Sequence, residues 1–196
     1  MMKTIVLGLM LACGLILSGC AVTHVYTGAP PASPSKSADA TPAPTAAQPA
    51  PKPIFSQAEA SSVRSSEQDQ YGTVYTYEAA NVMDGNIATC WATNPRNDSQ
   101  PSVTLRASDQ QHVSGIQFSN GYFRNQETYE KNARITKVRI YYEGGWQDYQ
   151  CSANQYRMMQ TVTLPQPADT SYITLQVLEW TAGDWEDICI SSIEIF

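Results

Sequence analysis

The stretch NVMDGNIATCW, Asn81 to Trp91, decides how this chain is read. Asp84-Gly85 is a tight-turn dipeptide, because Asp hydrogen-bonds nearby backbone and Gly accepts a positive φ without steric cost. Asp84, Asn86 and Thr89 place several hard oxygen donors on one short loop. Trp91 follows, a large apolar side chain that so polar a loop does not need for solubility, and it reads as the loop's anchor in a core. The residues alone favour a hydrogen-bonded turn pinned by its tryptophan over a metal or ligand site.

Around this loop the pattern is almost entirely β. Thr73–Tyr77 alternates in β-forming residues, and Val113–Ser119 sets Ile116 and Phe118 on one side. Within Ile135–Tyr142, Val138, Ile140 and Tyr142 share one face and Lys137, Arg139 and Tyr141 the other. Gly144-Gly145 offers a hairpin turn into Trp146–Tyr149. Val162 and Leu164 mark a strand expected to end at Pro165 and Pro167, and Ile173, Leu175 and Val177 mark the inward face of the next. Ile188–Phe196, apolar on both faces, reads as one central strand. Only Glu78–Met83 suggests a helical turn. Short strands at this spacing predict an all-β sandwich.

The N-terminal quarter has a different character. Lys3 followed by IVLGLMLACGLIL is a signal peptide too short to span a bilayer with these flanks. Leu17-Ser18-Gly19-Cys20 resembles a bacterial lipobox, which would make residues 1–20 the signal segment with its lipobox and Cys20 the lipid-modified mature N-terminus. Residues 21–53 hold eight of the chain's twelve prolines among Ala, Ser, Thr and Gln, a composition that cannot bury enough apolar surface to offset its ordering entropy. They read as a disordered linker reaching up to ~100 Å at roughly 3.1 Å per residue. Residues 54–196 are left as one domain with a single core.

That domain carries nine Lys and Arg against seventeen Asp and Glu, a balance of −8. No basic run interleaves with aromatics, so nucleic acid is excluded as a partner. The chain's two histidines lie in the linker (His24) and in a polar stretch read as a surface loop (His112), neither near a close cysteine pair. Serine, cysteine and zinc chemistry therefore lack their constellations. Asp184, Glu186 and Asp187 read as a solvated acidic loop rather than a glycosidase pair. No enzyme is indicated. Cys90, Cys151 and Cys189 remain after processing, in a compartment that permits disulfides.

The Asn81-x-x-Asp-Gly-x-x-x-Thr-x-Trp91 loop resembles that of discoidin-like (coagulation-factor type C) galactose-binding folds. It is most similar to the bacterial NADase-type glycan-binding domain, first noticed beside secreted NAD-glycohydrolase toxins. SNGYF (119–123), YEKNARITKVRI (129–140) and GDWEDICISSIEIF (183–196) agree in order and spacing, so the resemblance spans Ser61 to Phe196. It implies a jelly-roll β-sandwich, non-catalytic glycan binding, and proximity of Cys90 and Cys189 at one end, which favours that pair for the one disulfide bridge three cysteines allow; three buried thiols packing as small hydrophobes are the alternative. In relatives a Ser-Glu-Ile glutamate helps hold calcium; here Ser192 takes its place, leaving Asp84, Thr89 and Glu194 as donors. ATNPRNDSQP (92–101) likewise replaces a glycine-rich stretch. No cofactor is required on this reading, and calcium is the one ion to test.

Sugar recognition sets aromatic faces against C–H patches while amide, carboxylate and Arg groups fix the hydroxyls. Tyr122, Tyr129, Asn132, Arg134, Trp180, Asp184 and Trp185 supply that inventory, with Tyr122, Trp180 and Trp185 expected foremost. An internal Arg134–Asp187 ion pair is the structural alternative for two of these charges. The expected protein is an envelope lipoprotein displaying a glycan-binding module. It would sit on the outer membrane of a diderm, since Ala21 lacks an acidic retention signal, or on the outer face of a monoderm's membrane. A protein-interaction or structural envelope module, and an accessory of a secreted toxin system, are the alternatives.

Overall fold

The computed structural model describes residues 52–152 and 155–196. The leader, Cys20 and the linker up to residue 51 lie outside the described residues. An antiparallel sheet runs in the order β1 (Gln57–Ala60), β5 (Ser102–Ser119), β8 (Met159–Thr181), β6 (Arg134–Tyr142) and β7 (Gly145–Gln150), and β10 (Ile193–Ile195) also pairs with β5. Two small ribbons accompany it: β2 (Glu67–Gln68) with β3 (Val74–Tyr75), and β4 (Trp91–Thr93) with β9 (Ile188–Ile190). A 3-10 turn occupies Ala79–Val82, inside the helical turn expected there. Among the described residues no helix is long and apolar enough to cross a membrane.

The long strands β5 and β8 make the sandwich by bending. Residues 107–110 of β5 face only Ser171, and residues 164–167 of β8 face only Ser114. Such excess residues bend a strand and increase its twist. One arm of β5 pairs with β1 and the other with β10. Val103 and Leu105 of the first arm and Val113, Ile116 and Phe118 of the second enter one core, with Ile140, Ile173, Leu175 and Trp91. Pro165 and Pro167, expected to end a strand, instead lie inside β8. They occupy its excess residues, where no ladder bond is asked of a residue without N–H.

The C-terminal run departs from expectation in a similar way. Ile188–Phe196 is not one central strand: β9 pairs with β4 and β10 with β5. Ser119 Oγ accepts the amides of Ser191 and Ser192 at 2.6 and 2.9 Å, pinning the chain where it changes partners. The β6–β7 hairpin forms one residue earlier than read, turning at Glu143-Gly144 with Gly144 at φ +91° and Gly145 already paired with Tyr142. A helix the pattern did not suggest, α1 (Gln126–Lys131), starts at a reciprocal cap: Asn125 Oδ1 accepts the Thr128 amide at 2.8 Å and Thr128 Oγ1 the Asn125 amide. Six residues are too few for apolar periodicity to show.

A second, smaller apolar cluster joins Tyr77, Cys90, Ala92, Tyr122 and Cys189. It underlies the cleft described next.

Candidate functional site

A cleft of about 840 Å³ opens over this patch. One wall is the segment from Ser62 to Asp69, the other carries Arg124, Asn132 and Trp185, and Tyr75, Tyr77 and Tyr122 line it between them. The first wall is an irregular run tied to the β4 strand: the Arg64 amide donates to the Ala92 carbonyl at 2.8 Å, and the Trp91 indole N–H to the Ser62 carbonyl at 2.9 Å. Asp69 closes the β2–β3 turn by accepting the Tyr71 and Thr73 amides, both at 2.9 Å, and the Tyr75 hydroxyl at 3.0 Å. These bonds, the Thr73 amide foremost, hold its carboxyl below the ordinary range. The opposite wall depends on Gly183, because a Cβ there would collide with the Lys131 and Asn132 carbonyls. That close approach lets the Trp185 amide reach the Lys131 carbonyl at 2.7 Å and the Ala133 amide reach the Asp187 carbonyl at 3.0 Å.

Inside the cleft, Arg64 is fully engaged. Its Nη1 lies 2.5 Å from Asp187 Oδ2, its Nη2 pairs with Glu67, and its Cζ sits 5.2 Å from the Tyr77 ring centre. Burial pushes the Asp187 carboxyl up from its ordinary value, and the Arg64 guanidinium offsets part of that rise. The Tyr77 hydroxyl donates to Glu67 at 3.1 Å and the Tyr122 hydroxyl to the Ala88 carbonyl at 3.1 Å. Burial raises both phenols, Tyr122 to about 12, so both remain protonated donors.

Three groups on the other wall are less committed. Arg124 lies with Cζ 4.2 Å from the Tyr75 ring centre and donates to the Tyr75 hydroxyl at 2.7 Å. Asn132 is 2% exposed; its Nδ2 donates to the Thr128 carbonyl at 2.7 Å, and its buried Oδ1 has no partner. Trp185 is 42% exposed, with the Lys131 ammonium 5.1 Å from its ring centre.

Of the residues read as glycan contacts, the fold gathers Tyr122, Asn132 and Trp185 in this cleft. Tyr129 is buried among Phe123 and Tyr156, capped by the Arg134 guanidinium at 3.6 Å. Arg134 also donates to the Asn132 and Ala133 carbonyls, so both residues brace the wall from outside the cleft. Trp180 packs against the main core and pairs with Ile135, because it falls on β8 rather than in the last loop. Asp184 is exposed beside Trp185 without lining the cleft. The Arg134–Asp187 ion pair does not form, since Arg64 occupies Asp187. His112 is on β5 rather than in a loop, its Nδ1 2.8 Å from Asp169 Oδ1.

The side chains read as calcium donors have partners within the protein. Asp84 Oδ1 accepts the Asn86 amide at 2.8 Å and Oδ2 the Thr89 hydroxyl at 2.6 Å, while Glu194 pairs with Lys52 at 3.1 Å. Among the described residues no group of three acidic, His or Cys side chains converges as a metal site. Cys90 and Cys189 are neighbours, as the resemblance implied, yet both are free buried thiols rather than a disulfide, and Cys151 is free as well. Burial, with the Cys189 contact, raises the Cys90 thiol well above its ordinary pKa.

Arg64, Glu67, Asp69, Tyr75, Tyr77 and Arg124 were not anticipated. SSVRSSEQDQ (61–70) has no periodicity, and only its contacts with β4 reveal it as a wall.

Bent antiparallel strands under a cleft of loops define a discoidin-like β-sandwich. Residues 53–196 match the model of the NAD glycohydrolase translocation F5/8 type C domain, and the chain belongs to that family. Among solved structures it is similar to the family 32 carbohydrate-binding module of Clostridium perfringens NanJ, in complex with galactose. The TM-score is 0.50 at 22% identity, over 71% of this chain and 91% of that one. A C. perfringens module in complex with GalNAc-β-1,3-galactose gives a TM-score of 0.51 at 18% identity, over 71% and 94%. A pectin-binding carbohydrate-binding module gives 0.51 at 19%, over 73% and 91%. No curated protein matches the chain.

Proposed function

We propose that this chain is a lipid-anchored envelope protein whose domain holds a glycan in the cleft without transforming it. Asn132 carries the reading: a side chain 2% exposed, on a cleft wall, whose Oδ1 has no partner, near the exposed indole of Trp185. An unsatisfied buried acceptor costs about 1–3 kcal/mol. A small rotation that brings this oxygen to the cleft lets a sugar hydroxyl supply the missing donor, and an indole face suits the C–H patch of a pyranose. The likeness to modules solved with galactose and with a GalNAc disaccharide supports the same chemistry.

Binding is favoured over catalysis because the carboxylates lining the cleft are already engaged. Glu67 and Asp187 hold Arg64, Glu186 pairs with Arg96, and Asp69 closes its turn. Acyl chains on Cys20 would fix the mature N-terminus in the bilayer at ~0.8 kcal/mol per buried CH₂. The Pro-rich run to residue 53 would carry the domain outward, where weak single sites attach usefully through multivalency. A balance of −8 over residues 54–196 makes nucleic acid a poor partner.

The test is a glycan array probed with the detergent-solubilised full chain and its Trp185→Ala variant. Retention by the native chain and its loss in the variant, at unchanged melting temperature, is expected; a blank array overturns the reading. Cys20→Ala should move the protein out of the membrane fraction or stall its processing.

A further inference from the structure

The cleft contains two arginines in contrasting states, and the contrast bears on what the cleft accepts. Arg64 has two carboxylates, Glu67 and Asp187. Arg124 has none within ion-pair distance among the described residues. We infer that the glycan held here carries a carboxylate and that Arg124 receives it. This rests on the cleft being a glycan site.

Arg124 is prepared for such a partner. Its guanidinium lies over Tyr75 with Cζ 4.2 Å from the ring centre and gives an N–H to the Tyr75 hydroxyl at 2.7 Å. That hydroxyl donates in turn to Asp69 at 3.0 Å, so the plane of the fork is braced through to the β2–β3 turn. The guanidinium also interacts with the Tyr122 hydroxyl, and of its five donors those not turned to the two phenols remain for a ligand. A braced planar fork matches a carboxylate through two parallel hydrogen bonds, which an ammonium does not reproduce.

The acidity of the domain does not cancel this. Each carboxylate lining the cleft has its own donors: Glu67 takes Arg64 and Tyr77, Asp187 takes Arg64, Glu186 takes Arg96, and Asp69 takes two amides and Tyr75. Exposed charges beyond about 8 Å are largely screened at physiological salt, so the domain's field slows approach more than it weakens the short contact. Trp185 offers the same ligand an exposed apolar face, and Asn132 Oδ1, turned toward the cleft by a small rotation, takes one of its hydroxyls. A sugar acid, uronic or sialic, combines a carboxylate, hydroxyls and an apolar ring face.

Titration calorimetry on the detergent-solubilised full chain tests this with two matched pairs: trigalacturonate against its methyl ester, and sialyllactose against lactose. One acid probe should bind about tenfold or more tighter than its neutral counterpart. Which pair shows the preference tells uronate from sialate. Arg124→Gln should bring that ratio close to one with the melting temperature unchanged, and Arg124→Lys should retain part of it. Raising NaCl from about 50 to 500 mM should narrow the ratio as well. Trp185→Ala should weaken acid and neutral probes alike. If acid and neutral forms bind equally while Trp185→Ala abolishes both, the carboxylate inference falls and the glycan reading stands. If none of the four probes binds, the carboxylate inference falls, and a blank glycan array then removes the glycan reading with it.

Discussion

The two apolar clusters of this domain both exclude water, but with different chemistry. Between the arms of β5 and β8 the core is nearly all aliphatic, with Val103, Leu105, Ile116, Ile140 and Leu175 at most 2% exposed. Under the cleft the patch is tyrosine, cysteine and alanine, and its tyrosines end in hydroxyls bonded to Glu67 and the Ala88 carbonyl. The first cluster asks only for volume and alternation. The second asks each polar tip for a named partner, because a buried hydroxyl without one is costly. A site can be built over the second because polar groups there are already positioned, whereas a ligand group in the first would meet only hydrocarbon.

The sharpest break between the two should come from Trp91, which is fully buried in the aliphatic core and donates to the Ser62 carbonyl behind the cleft wall. Trp91→Ala should destabilise the domain by roughly 3–5 kcal/mol in urea unfolding. A loss below ~1 kcal/mol would mean the wall, not the core, carries that side chain.

The next effect belongs to Arg64. Arg64→Gln leaves Asp187, 6% exposed, without its cation. Breaking a fully buried pair costs roughly 3–5 kcal/mol, and the partial exposure of Arg64 brings the expectation to about 1–3 kcal/mol at pH 7. The sign with pH follows from Asp187. Its carboxyl is raised by burial, so the folded state holds the proton more tightly than the unfolded chain and gains relative stability as pH falls. The penalty of Arg64→Gln exists only while Asp187 is ionised. The difference in unfolding free energy between variant and native chain should therefore be full at pH 7 and shrink as pH falls through the folded-state pKa of Asp187. A difference that is flat with pH would assign the loss to packing on Tyr77.

Trp180 and Trp185 repeat the contrast on a smaller scale. Trp180 packs on the aliphatic core and Trp185 is 42% exposed at the cleft. Trp180→Ala should cost ~2 kcal/mol, reduced from the fully buried case because the ring is only partly covered. Trp185→Ala should stay within about 0.5 kcal/mol in the same melts. Equal losses would erase the distinction between a core and a site tryptophan.

These same residues show what the chain's letters disclosed. Ile135–Tyr142 was legible because period-two alternation and a two-residue Gly turn fix a hairpin from local information alone. The passage of β8 through Pro165 and Pro167 was not, because tolerance of a proline depends on which residue sits across the ladder, here Ser114. The division of Ile188–Phe196 between a ribbon and the main sheet rests on Ser119, some seventy residues away in sequence. Trp180 and Trp185 were indistinguishable as letters, being separated only by where β8 ends. Tyr122, Asn132 and Trp185 could be placed through motif order, whereas Arg64 and Arg124 could not, since their roles exist only once the wall from Ser62 to Asp69 folds against β4.

The smallest effect expected is calcium's, and it concerns the loop that opened the reading. Asp84 anchors that loop by accepting the Asn86 amide and the Thr89 hydroxyl, so its carboxylate already serves the turn. Glu194, the other acidic donor, is paired with Lys52 where the chain enters the domain. Calcium takes six to eight oxygens with carboxylates prominent among them. Seating an ion would require breaking the Asp84–Thr89 bond and drawing Glu194 from its ammonium. Ligand at ~100-fold excess over Kd stabilises by about 2.7 kcal/mol, several degrees for a domain of this size. At millimolar calcium the melting temperature should move by less than ~1 °C. Asp84→Ala should lower it in both the presence and the absence of calcium, since what it loses is the turn. A calcium-dependent rise of several degrees that disappears in Asp84→Ala would show that the loop reorganises around an ion, and would place a second ligand at the end of the sandwich held by Trp91.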